Sequence, residues 1–131
     1  MVIPHFQHIH VLLMETKYKS KYSITAAGIC PDQPFLERDP AGIRRCLDIN
    51  VVGTYFTAQL AAKQMVKQER RNSSSGKGSI MMIASMAAHH HSKGQYLSDY
   101  AASKGAVLSL VKDLGVELAE HEIRVNCISP G

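Results

Sequence analysis

GSIMMIASMAAHHHSKGQYLSDYAASKGAVLSLVKDLGVELAEHEIRVNCISPG, residues 78–131, decides the fold. Ile80-Met81-Met82-Ile83-Ala84 is a continuous apolar run of strand length, as expected of a parallel strand covered on both faces. Met86 to Leu97 reads as a loop containing His89-His90-His91. From about Ser98 to Glu120, Val107, Val111, Leu114 and Leu118 share one face of a long helix. Ile123-Arg124-Val125-Asn126-Cys127-Ile128 is the next strand, stopped by Pro130-Gly131. Strand, helix and strand in this order predict parallel strands joined by a right-handed crossover.

Towards the N-terminus the alternation repeats. Asn72 to Gly78 is a polar Ser/Gly connection. Before it, Ile43, Leu47, Val51, Thr54, Ala58, Ala61 and Met65 recur at three- and four-residue steps, which predicts a helix over about 40–70. Asp39-Pro40 is a helix-start signature, an N-cap side chain followed by a ring at the first helical position. Tyr22 to Ala27 reads as a short strand closed by Gly28. Residues 1–22 differ from the rest, mixing His5, His8 and His10 with the basic stretch Lys17 to Lys21. The expected organisation is an atypical segment, 1–22, ahead of an α/β domain, 23–131, ordered strand–helix–strand–helix–strand.

Composition narrows the function classes. The 131 residues are 45% hydrophobic and 20% charged, the balance of a single globular domain rather than a disordered chain. No apolar run reaches the ~18 residues of a membrane helix, and Val11 to Met14 carries no signal-peptide cleavage pattern. Neither membrane nor nucleic acid is an expected partner. The net charge is only +4, and Lys63, Lys67, Arg70, Arg71 and Lys77 track a helix end, where cations suit the dipole. Cys30, Cys46 and Cys127 form neither a disulfide framework nor a metal knuckle, so a reducing, cytoplasmic home is expected. They lie beside apolar residues and read as unreactive thiols. Met81, Met82 and Met86 read as packing residues. The three adjacent histidines read as a polar loop beside a cleft, because neighbouring loop residues rarely converge on one ion.

Four residues can carry chemistry. Tyr100 and Lys104 are one helical turn apart on one face. A phenol loses its proton near pH 10, and a nearby ammonium stabilises the phenolate, so the pair can serve as an acid/base. Taken alone, a tyrosine with a lysine one turn on is also an ordinary surface pair. Ser85 ends the second strand, where parallel sheets bind ligands; a serine capping a strand end is the plainer alternative. Asn50 lies inside the first long helix, for which asparagine is a poor former. Such a residue either faces solvent or is placed to bind something, and Ile49 and Val51 favour a buried flank.

Residues 25–131 resemble the short-chain dehydrogenase/reductase family, with its landmarks in order. Thr25-Ala26-Ala27-Gly28 is similar to the family's Asn-Asn-Ala-Gly strand end, and Leu47 to Thr54 to the helix bearing its catalytic asparagine. Gly78 to Ser85 resembles the strand ending in the catalytic serine, Tyr100-Ala101-Ala102-Ser103-Lys104 the Tyr/Lys motif, and Ile123 to Gly131 the strand ending in Pro-Gly. The resemblance implies part of a doubly wound, Rossmann-like sheet and hydride transfer between NAD(P), with NADP(H) the expected form, and a carbonyl or alcohol. It implies that Tyr100 exchanges the proton, Lys104 favours the Tyr100 phenolate and holds the nicotinamide ribose, Ser85 orients the substrate oxygen, and Asn50 supports a water linking Lys104 to solvent. Ala27, Gly28, Asn50, Tyr100, Lys104, Pro130 and Gly131 are the implied cofactor contacts. Ile83-Ala84-Ser85-Met86 is most similar to the branch acting on polyols and sugar-derived ketones.

Three features depart from the family. The chain contains no Gly-x-x-x-Gly-x-Gly turn for the cofactor phosphates and no residue after a second strand to choose NAD or NADP, and Thr25 and Ala26 replace the asparagines. The chain therefore reads as a fragment or truncated isoform. Its alternative role is a non-catalytic interaction module, forming homo- or hetero-oligomers through the two long helices.

Overall fold

The computed structural model describes residues 20–70, 76–91 and 93–131. Within them β1 (Tyr22–Thr25), β2 (Gly78–Ile83) and β3 (Ile123–Ile128) form one parallel sheet in the order β1-β2-β3. Thr25 lies opposite Met82, and Ile83 opposite Ile128. The first crossover carries α1 (Pro40–Leu47), a π-helical turn (Asp48–Gly53) and α2 (Thr54–Val66) end to end; the second carries α3 (Ser98–Glu117). This is the expected strand–helix–strand–helix–strand order of a partial doubly wound sheet. Most of the segment 1–22 lies outside the described residues.

Among the described residues the core forms on one face of the sheet. Ile80 and Met82 of β2, and Ile123 and Val125 of β3, point into a cluster with Ala58, Ala61 and Met65 of α2 and Val107 of α3. The alternate residues Tyr22, Ile24 and Ile128 are exposed, at 71%, 66% and 50%. The described residues do not cover β2 on both faces as the sequence reading expects, and Met81 and Ile83 are half-buried among them. Adding strands in one direction by crossovers of one hand places both helices on the same face.

Local signals account for most of the boundaries. The Asp39 carboxylate accepts the Gly42 N–H at 2.8 Å and Pro40 is the first helical residue, so α1 starts where the sequence predicts. The first long helix ends at Val66 rather than near 70, and the Lys77 ammonium reaches the freed Val66 carbonyl at 3.3 Å. Arg70 pairs with the carboxylate of Glu122 in the turn before β3, and Arg71 lies outside the described residues. Glu122 takes a left-handed φ of 60° and turns the chain from the short 3-10 turn Ala119–His121 into β3. The sheet meets α2 closely at Gly78, where a Cβ would lie 2.2 Å from the Met65 Sδ. Only glycine lets helix and strand approach so far.

Candidate active site

The candidate residues converge where β1 and β2 end and α3 begins. Ser85 follows β2 by two residues, and its Oγ accepts the Ala87 N–H at 3.1 Å, capping the 3-10 turn Met86–Ala88. Ser85 thus caps the turn after β2 and also lines a cavity of about 370 Å³. Tyr100, in the first turn of α3, lines the same cavity, as do His90, His91, Pro130 and Gly131. Pro130 is tied there because its carbonyl accepts the Met86 N–H at 2.8 Å. The histidine loop thus borders the cleft, with the His89 and His90 rings 6.5 Å apart. Among the described residues no group of three His, Cys, Asp or Glu side chains could hold a metal ion.

Behind Tyr100 lies a buried polar cluster. Lys104 is 5% exposed, its Nζ donates to the Ile83 carbonyl at 2.7 Å, and it sits 5.6 Å from the centre of the Tyr100 ring. At that range the ammonium interacts with the ring face. Burial pushes the Lys104 ammonium below the ordinary lysine range, because desolvation disfavours the charged form. Asn50 is completely buried. Its Oδ1 accepts the Ile29 N–H at 2.8 Å, and its Nδ2 donates to the Ile29 carbonyl and to Ser103 Oγ, each at 2.9 Å. Ser103 in turn donates to the Tyr100 carbonyl at 2.7 Å. One amide thus joins the segment after β1 to the turn bearing Tyr100 and Lys104.

The π turn is what aims Asn50 inward. Opening the helix by one residue per turn lets a poor helix former sit inside it without facing solvent. Gly28 completes the cluster, since a Cβ there would lie 3.2 Å from Asn50 Oδ1 and 3.7 Å from Lys104 Nζ. Ala27 is exposed beside it, outside the cavity lining. The structure thus gathers Ser85, Tyr100, Pro130 and Gly131 around the cavity, and Gly28, Asn50 and Lys104 behind it. Desolvation is the main reason that the Cys30 and Cys46 thiols titrate above their ordinary value; Cys46 is buried, whereas Cys30 is exposed.

Sequence reasoning missed three residues. Ser103 was legible as a polar residue between Tyr100 and Lys104 on a face that turns inward. Arg38 and Asp99, 4% and 2% exposed in their side chains, form a buried ion pair between the segment before α1 and the start of α3. Their separation in the chain left no local signal.

The family model described as short chain dehydrogenase matches residues 2–131. L-rhamnose 1-dehydrogenase (NAD(P)(+)) of Sphingomonas sp. is 35% identical over 90% of this chain and 43% of its own length. L-fucose dehydrogenase of Oryctolagus cuniculus is 37% identical over 77% of this chain and 32% of its own length. A crystal structure of a short-chain type dehydrogenase/reductase from Mycobacterium marinum superposes with a TM-score of 0.77 and 40% identity, covering 85% of this chain and 41% of that one. The chain spans less than half the length of these relatives. With a parallel sheet, a strand-end serine and a Tyr/Lys pair in family order beneath them, these likenesses establish that the chain belongs to the short-chain dehydrogenase family.

Proposed function

We propose that the protein is an NAD(P)-dependent oxidoreductase acting on a secondary alcohol or carbonyl of a polyol or sugar. The observation that carries this reading is the placement of the Ser85 and Tyr100 side chains on one cavity, with the Lys104 ammonium 5.6 Å behind the phenol ring. When bound, the nicotinamide cofactor supplies the hydride acceptor or donor. Ser85 hydrogen-bonds the substrate oxygen and orients it. In the oxidative direction Tyr100, as phenolate, takes the hydroxyl proton while the carbinol C–H bond gives up its hydride; in the reductive direction the phenol returns that proton to the carbonyl oxygen. Lys104 stabilises the negative charge on Tyr100. Asn50 holds the Tyr100–Lys104 turn through Ser103 and supports the proton path from Lys104.

The residues fit one end of the cofactor. Lys104, Tyr100 and Gly28 suit the nicotinamide ribose, with Ala27, Asn50, Pro130 and Gly131 around them; the sequence offers no glycine-rich turn for the diphosphate. NADP(H) is the proposed form. The sugar substrate is supported by the named rhamnose and fucose dehydrogenases among the relatives and by polar His90, His91 and Gln95 on the cavity. Free thiols at Cys30, Cys46 and Cys127 support a reducing, cytoplasmic setting. Among the described residues no helix is long and apolar enough to cross a membrane.

A second reading, an oligomerising module without turnover, is favoured by exposed apolar residues on the two long helices, Tyr55, Phe56 and Leu60 on α2 and Val116 on α3. Fluorescence titration of the folded chain with NADPH and NADH, with turnover assayed on L-rhamnose and L-fucose, decides between the readings. Saturable binding with turnover carries the enzyme. A folded chain that associates but neither binds nor turns over carries the module.

A further inference from the structure

We propose that Arg38 and Asp99 form a buried clamp that positions Tyr100 and the cavity wall beside it, which makes Arg38 a positioning residue; the inference rests on the reading of Tyr100 given above. Arg38 Nη1 pairs with Asp99 Oδ2, and Arg38 Nη2 donates to the Tyr96 carbonyl and, at 3.3 Å, to the Pro31 carbonyl. The other Asp99 oxygen, Oδ1, accepts the backbone N–H of Tyr100 at 2.7 Å. Two further bonds flank this centre. Gln33 N–H donates to the Tyr96 carbonyl, and Tyr96 N–H donates to Asp32 Oδ1, each at 3.1 Å.

The segment before α1 is therefore joined by polar bonds to Tyr96 and to the first turn of α3. Leu97 gives that turn no side-chain cap, so Asp99 supplies an acceptor for one of its orphan N–H groups. Arg38 faces the Asp99 carboxylate, so neither side chain is buried without a partner. A planar guanidinium can serve three acceptors at once, whereas an ammonium on a flexible stem cannot hold the same fork. Tyr96, Leu97, Ser98 and Tyr100 all line the cavity, so shifting the clamp moves both the phenol and the wall that faces substrate. A group displaced by about 1 Å from a reacting geometry loses roughly 100-fold in rate.

The test compares Arg38→Met, Arg38→Lys and the charge-free double variant Arg38→Met/Asp99→Asn in kcat, KM, NADPH binding and amide hydrogen exchange. Arg38→Met is expected to lower kcat by about 10- to 100-fold, and to speed exchange at Tyr96 and Tyr100 while Ile80 and Met82 in the sheet stay protected. Arg38→Lys is expected to recover only a minor part of the loss. Should Arg38→Met fail to fold, the double variant, which leaves no unpaired buried charge, is expected to fold with kcat still depressed. Full kcat in any folded variant, or unchanged exchange at Tyr96 and Tyr100, would overturn the clamp. If the parent protein binds NADPH but shows no turnover, the reading of Tyr100 fails, and the exchange rates still decide whether Arg38 holds the turn.

Discussion

The two long helices begin in opposite ways. The start of α1 is self-contained: Asp39 caps it from three residues away and Pro40 fits its first turn. The start of α3 is held from outside, by Arg38 and its neighbours across more than fifty residues of chain. The self-contained start bears no candidate for chemistry, and the externally held one bears Tyr100. A local cap stabilises a helix wherever it lies, whereas a clamp from a distant segment fixes the helix against the cavity as well.

That contrast predicts which changes cost rate and which cost only stability. Tyr100→Phe removes the proton carrier from the externally held start, so turnover should fall by about 100- to 10,000-fold with the circular dichroism spectrum unchanged; retained turnover would detach the chemistry from α3. Gly78→Ala tests a second distant contact, the close seat of Met65 on β2, and should lower unfolding free energy by about 1–3 kcal/mol in a denaturant melt through overpacking. An unaltered midpoint would mean that Met65 swings aside freely. Asp39→Ala should cost about 1 kcal/mol and leave turnover intact, and a change in turnover would erase the distinction between the two starts.

The smallest expected effect is a slope with pH. Lys104 titrates lower when folded than when unfolded, mainly because it is buried. Between its lowered value and the ordinary 10.5 the unfolded chain binds more protons, so stability rises with pH across that window. Parent protein measured against Lys104→Met should therefore gain relative stability as pH climbs toward 10.5. A flat difference would place the ammonium in water.

The same contrast explains how much was legible in the sequence. Strands, helix starts and the Tyr100–Lys104 pair are written in short-range patterns, and each is found within a few residues of its expected place. Ser85 and Asn50 were identified by their positions on elements rather than by their partners. The Arg38–Asp99 pair, by contrast, exists only once the chain has folded, and no spacing announces it. The π turn was hidden for a different reason. Val51 and Thr54 continue the apolar rhythm of the helix, so periodicity reads straight through the irregularity that buries Asn50. An unbroken apolar run such as Ile80 to Ala84 does not say how many layers cover it, so the half-burial of Met81 and Ile83 is not legible in it.

The π turn also sets a constraint on length. Successive helical residues are offset by about 100°, so the wider turn at Asp48–Gly53 resets the rotation of α2 relative to α1. Cys46 ahead of it and Ala58, Ala61 and Met65 behind it are all buried with that offset in place. Adding or losing one residue within the regular part of α1 or α2 would swing one half of the rod by roughly a quarter turn, lifting either Cys46 or the alanine stripe out of its seat. Substitutions along this helix can be judged residue by residue, but its residue count is fixed.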